Sequence, residues 1–157
     1  MARQFIDPEP KCFEDFELGD CMTTRGRTVD IGDITNYAGL TGDHYQLHTD
    51  AAFMANSRFG QRIAHGPLTF SLAVGLVGLS GFYGDAITAL IEITGLKATK
   101  PVFAGDTVHV VATVSRHEAT GPKYGTLGVT YVVRNQDGED VMTFLQTMLA
   151  KRRPDEG

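Results

Sequence analysis

The sequence predicts an α+β fold in which an antiparallel sheet covers one buried helix. Three observations carry that prediction. Residues 66–81 hold Leu68, Leu72, Val74, Leu76, Val77 and Leu79 and leave almost no polar face, so a helix there must be enclosed by apolar surface. Four segments with the two-residue alternation of half-buried strands then follow, at 88–99, 107–116, 126–134 and 140–150. Turn signals separate them, with Gly105-Asp106 just before one strand and Asn135-Gln-Asp-Gly138 between the last two. Helices first and strands after them give one domain over 1–157, with no internal repeat or low-complexity segment.

Residues 1–11 carry two prolines and four charges and are expected to run as an extended arm. Phe13 and Phe16 precede a Gly19-Asp20 turn, and 22–29 alternates weakly as a strand. Residues 30–40 read as a helix, with Asp30 or Asp33 as cap and Ile31, Ile34, Tyr37 and Ala38 on one face. An irregular stretch holding Asp43 and His48 comes next. Thr49 is expected to cap a short helix over 50–56, with Asp50 also capping or bracing it and its alanines strong helix formers. The long helix starts with Gly66 at the cap and Pro67 at the first helical position.

Composition narrows the function. With 42% hydrophobic and 21% charged residues, the 157-residue chain is ordinary for a globular protein with a self-sufficient core. A net charge of −5 gives no general attraction to nucleic acid or to anionic membranes. The basic cluster Lys151-Arg152-Arg153 reads as a solvated tail. The longest apolar stretch falls short of the roughly 20 residues that span a bilayer. The start of the chain lacks a charged segment followed by an apolar run, so a cytoplasmic protein without a secretory signal is expected. Cys12 and Cys21 fit no paired-cysteine motif and read as reduced, semi-buried packing residues.

The stretch that points to chemistry is 41–71. Asp43 and His48 stand five residues apart, just ahead of a helix N-terminus whose unpaired N–H groups and dipole favour negative charge. Taken alone, such an acid and histidine are more often a cap and a surface side chain. His44 and His48 are spaced four apart like a metal pair, but no third ligand has suitable spacing, so no metal is expected. His65 reads as a brace for the turn before the long helix, and His109 and His117 as surface residues. Gly75, Gly78 and Gly81 suit close packing of helix on sheet, and no phosphate-loop motif is present.

These residues resemble the MaoC-type dehydratases, the (R)-specific enoyl-CoA hydratases. The resemblance rests on Tyr37-Ala-Gly-Leu-Thr-Gly-Asp43, His48-Thr-Asp50, Ala51-Ala-Phe53 and Ile63-Ala-His-Gly66, and extends to Phe16-Glu-Leu-Gly-Asp20 and Pro101-Val-Phe-Ala-Gly-Asp106. It implies a hotdog fold, an antiparallel sheet wrapped around a long central helix. It implies at least a homodimer, with the acyl-CoA substrate in a tunnel at the interface. It assigns Asp43 and His48 to the water, the Gly66 N–H to the thioester oxygen, and Ser71 to support of the acid–histidine site. Many members carry Asn-Pro where this chain has Tyr45-Gln46, which puts Tyr45 at the acyl pocket. No metal or redox cofactor is implied, since CoA or a carrier pantetheine is the substrate's own handle. Arg58, Arg62, Lys97 and Lys100 are candidates to meet CoA phosphates. The competing readings are a hotdog acyl-CoA thioesterase and a non-catalytic acyl-binding subunit. Thioesterases of this fold usually carry their acid on the central helix, and 66–81 has none.

Overall fold

The computed structural model describes residues 2–154. Ten helices and strands follow a 3-10 turn at Phe13–Asp15: β1 (Cys21–Thr23), β2 (Arg27–Thr28), α1 (Ile31–Thr41), α2 (Gln46–Thr49), α3 (Ala51–Ala55), α4 (Gly66–Leu79), β3 (Ile87–Ala98), β4 (Thr107–Ala119), β5 (Tyr124–Arg134) and β6 (Asp140–Lys151). The strands make one antiparallel sheet in the order β1-β4-β5-β6-β3, with β2 also on β4. The α+β class and the four long strands are as expected, with no end displaced by more than three residues.

The expected single strand over 22–29 is instead two short ones. At the break, the Thr24 N–H donates to Val110 O, while the Val110 N–H donates to Thr24 Oγ1 rather than to a backbone carbonyl. A side chain has taken a ladder position, and the regular pairing stops there.

The inner face of the sheet supplies Val108, Val110, Ala112 and Val114 from β4, Leu127, Val129, Tyr131 and Val133 from β5, and Met142, Phe144 and Met148 from β6. Against it α4 packs Leu68, Leu72, Ala73, Leu76 and Val77. The helix is not enclosed on all sides in this chain. Pro67, Ser71, Gly75, Gly78 and Leu79 form an exposed stripe along its outer face. β3 departs in the same direction: within the segment expected to alternate as a half-buried strand, Leu90, Ile91 and Leu96 are 58%, 53% and 46% exposed.

Asp30 caps α1, and Asp33 answers it by accepting the Asp30 N–H, a reciprocal capping box. Gly42 ends the helix with φ +77°, which a side chain would resist. The residue at the cap of α4 is His65, one position before the expected Gly66; Gly66 is the first helical residue and Pro67 the second. A glycine suits the place before that proline, because a Cβ there would meet the pyrrolidine ring in helical backbone.

The segments at 9–11 and 151–153 are both docked. Exposed residues 2–10 have no regular structure, yet Glu9 O accepts the Asp85 N–H and the Lys11 N–H donates to Asp85 Oδ1. Gly84 sits against this junction with φ +53°, where a Cβ would fall on Glu9 O. The basic cluster is not a free tail: Lys151 pairs with Asp85, Arg152 with Glu14 and Arg153 with Asp15. His117, expected at the surface, is half-buried, stacks on Phe13 at 3.8 Å and donates from Nε2 to Phe13 O. Cys12 is half-buried and Cys21 exposed; neither forms a disulfide. Among the described residues, no helix is long and apolar enough to cross a membrane.

Candidate active site

Asp43, His48 and His65 converge where α1 ends and α4 begins. One ligand-type atom from each lies within 4.8 Å of the other two. The local folding that achieves this is short-range. Gly42 turns the chain out of α1, and Asp43 Oδ1 accepts the Tyr45 N–H. Thr49 Oγ1 donates to His44 O and Tyr45 O, closing the single turn of α2 that carries His48. Asp50 then caps α3 through Oδ1, which accepts the Phe53 N–H. This refines two expectations: His48 lies on helix, and Asp50 rather than Thr49 is the cap.

His48 is held by the segment entering α4. Its Nδ1 lies 2.7 Å from Ile63 O, and a carbonyl only accepts, so Nδ1 carries a hydrogen. In the neutral ring Nε2 is therefore the lone-pair nitrogen, the one able to take a proton. Leu47 O in turn accepts the Ile63 N–H, so the two segments are tied on both sides of the ring.

His65 is 1% exposed, and its Nε2 lies 2.9 Å from Asp43 O. Its ring stacks on His48 with centroids 3.7 Å apart and planes 25° from parallel, and Tyr37 packs on it at 5.0 Å. That stack is poorly suited to a shared metal ion. Imidazole lone pairs lie in the ring plane, and two nearly parallel planes this far apart do not converge on one ion at about 2.0–2.1 Å from each nitrogen.

His48 and Gly66 line the same cavity, of about 360 Å³, together with Leu47, Phe59, Ile63, Ala64, Thr69, Val102, Val141 and Met142. As the first residue of α4, Gly66 offers an N–H with no intrahelical acceptor. Arg58 and Lys100 also line this cavity, whereas Arg62 lines a second one and Lys97 neither.

Three predicted site residues are placed differently. Asp43 stands beside the cavity, exposed to solvent. Tyr45 is 63% exposed and does not line the cavity. Ser71 is exposed on the outer stripe of α4 and donates to Pro67 O, so within one chain it does not join the acid–histidine pair. Two contributors have no site role in the sequence reading: Tyr37, a helix-face residue that also opens the motif ending at Asp43, and Leu47, the lining residue next to His48. The apolar Leu47 between Gln46 and His48 was the available signal.

A family model described as the MaoC like domain matches residues 16–135. Protein MaoC of Klebsiella aerogenes is 38% identical over 111 residues, covering 71% of this chain and 32% of its own length. The chain thus spans about a third of that relative. The (R)-specific enoyl-CoA hydratase of Aeromonas caviae is 34% identical over a region covering 45% of this chain and 66% of its own. Among solved structures, a monoamine oxidase regulatory protein from Archaeoglobus superposes with a TM-score of 0.88 at 34% identity, covering 92% of this chain and 97% of that one. A Mycobacterium tuberculosis protein with a double hotdog fold superposes at 0.81 with 19% identity, over 98% of this chain and 47% of that one. That last likeness bears on the fold alone, which is the hotdog fold.

Proposed function

Because the chain belongs to the MaoC-like dehydratase family, we propose that it hydrates enoyl-CoA thioesters to (R)-3-hydroxyacyl-CoA thioesters and catalyses the reverse dehydration. The observation that carries this reading is the meeting of Asp43 with His48 at one end of a largely apolar cavity that also presents Gly66.

Adding water to an α,β-unsaturated thioester forms a C–O bond at C3 and moves the double-bond electrons toward the thioester oxygen. C2 then collects a proton. Asp43 and His48 hold one water between them: one group takes its proton as the C–O bond forms at C3, and that same proton is then delivered to C2, so both side chains end as they began. The His48 lone pair at Nε2, fixed by the Nδ1 bond to Ile63 O, suits the first task. The negative charge growing on the thioester oxygen is met by the Gly66 N–H and the dipole of α4, and losing such a donor typically costs about 3–4 kcal/mol of transition-state stabilisation. No metal or redox step enters this scheme. Arg58 and Lys100, on the cavity wall, would face the phosphates of the CoA handle.

Loss of enoyl absorbance with crotonyl-CoA, a longer enoyl-CoA and mesaconyl-CoA tests the reading. Asp43→Asn and His48→Ala should each lower turnover by about 10²–10⁴-fold while leaving the fold intact. Their combination should do less damage than the product of the two, because the residues act as a unit. Unchanged turnover in both variants would sink the assignment. Release of free thiol in place of hydrated product would favour a thioesterase, although α4 carries no acid to serve one. Silence of folded protein on the whole panel would favour a non-catalytic acyl-binding subunit.

A further inference from the structure

His65 does not line the cavity, yet it touches both members of the proposed pair. Its Nε2 reaches Asp43 O at 2.9 Å, and its face lies on the His48 ring at 3.7 Å. It also caps α4, so the next residue in the chain is Gly66. Tyr37 of α1 also packs on this ring, with centroids 5.0 Å apart. One buried side chain therefore stands at the junction of the acid, the base and the oxyanion donor.

We infer that His65 is a positioning residue, which sets the plane of the His48 ring and the location of the Asp43 main chain from behind the site. The inference rests on the hydratase reading above. Packing alone is a weaker explanation of a histidine here. Asp43 O only accepts, so Nε2 carries a hydrogen. Nδ1 is buried and has no hydrogen-bond partner among the described residues. A phenylalanine would fill the same space without leaving a buried acceptor unmatched, so what distinguishes histidine is the bond to Asp43 together with the stack on His48.

Two substitutions divide those contacts. His65→Phe keeps an aromatic face for His48 and loses the bond to Asp43 O, and His65→Gln keeps a donor and loses the face. Each is expected to lower kcat by about 10–100-fold, the scale of an ångström-level misplacement, with KM within about twofold of wild type. A residue that merely supports the fold would lower the melting temperature without that split. ¹H–¹⁵N correlation spectra of the imidazole nitrogens, taken where both rings are neutral, give a readout free of turnover. Wild type should show His48 protonated at Nδ1 and His65 at Nε2, and His65→Gln should let His48 populate both tautomers.

Turnover within twofold of wild type in both variants, with His48 still a single tautomer, overturns the inference while leaving the hydratase reading standing. Absence of turnover in wild type removes that reading instead, and the His48 tautomer in the variants still decides the positioning role. Should neither variant fold, a wild-type spectrum with His65 protonated at Nδ1, or with His48 as a tautomer mixture, overturns it.

Discussion

Tyr83 and Tyr131 share one hydrogen bond inside the core, with hydroxyl oxygens 2.8 Å apart and the Tyr131 ring stacked on Phe144. Burial pushes the Tyr131 phenol up to about 12 and Tyr83 higher still. Tyr83→Phe strands the fully buried Tyr131 hydroxyl and should cost about 1–3 kcal/mol in denaturant unfolding, whereas Tyr83→Phe with Tyr131→Phe should be close to neutral. Gly125 presents the opposite constraint: a Cβ there would fall on the Phe13 ring. Gly125→Ala should destabilise by about 1–3 kcal/mol in the same experiment, because the ring that stacks on His117 must move. At this scale the sequence is legible where cause and effect lie within a turn of each other. Asp30 as the cap of α1 and Pro67 in the first turn of α4 are of that kind. His117 and His65 are not, because their roles depend on Phe13 and on Asp43, which only the folded chain brings to them.

The strand ends fell within three residues of where alternation put them, since alternation marks which residues face a core. It does not mark which residues a sheet edge leaves uncovered, which is why β3 stands where expected yet exposes Leu90, Ile91 and Leu96. The basic cluster at 151–153 differs from the expected solvated tail for another reason: ion pairing with the turn at Phe13–Asp15 leaves no local trace in sequence. Partial desolvation works to raise the Glu14 carboxyl, but bonds from the Arg152 side chain and the Arg153 N–H outweigh it and hold the group at about 2, below its ordinary 4.5. A depressed carboxylate contributes stability above its unfolded value and loses it as pH falls through the folded one. Melting temperature should therefore drop between about pH 4.5 and pH 2, and Glu14→Gln should lose less across that window. The segments carrying Arg58 and Lys100 allow a separate test at the cavity. Lys100 is paired with Glu139, so Arg58 is the cation to remove first. Arg58→Ala should raise KM for a CoA thioester by about 10–150-fold, the usual worth of a charge-assisted hydrogen bond at about 1.5–3 kcal/mol. KM for the matching N-acetylcysteamine thioester, which has no phosphates, should stay unchanged, and an equal effect on both would remove Arg58 from that role.

Across the sheet, the twelve-residue β3 lies at the edge and, among the described residues, pairs with β6 alone. A long edge bearing Leu90, Ile91 and Leu96 invites a further strand, and the small-residue stripe of α4 leaves room for close approach. The protein should run as a dimer in light scattering, and Leu90→Lys with Ile91→Lys should convert it to a monomer. The order of the sheet has a consequence for synthesis. β1 pairs with β4, joining Cys21 to Thr113, and α4 packs on strands that all follow it in the chain. A nascent chain leaving the ribosome at roughly 5–20 residues per second therefore carries the greasy α4 segment for seconds before any strand can shelter it. Chains arrested before Thr107 should stay protease-sensitive and bind holdase chaperones, and chains that have released β6 should not.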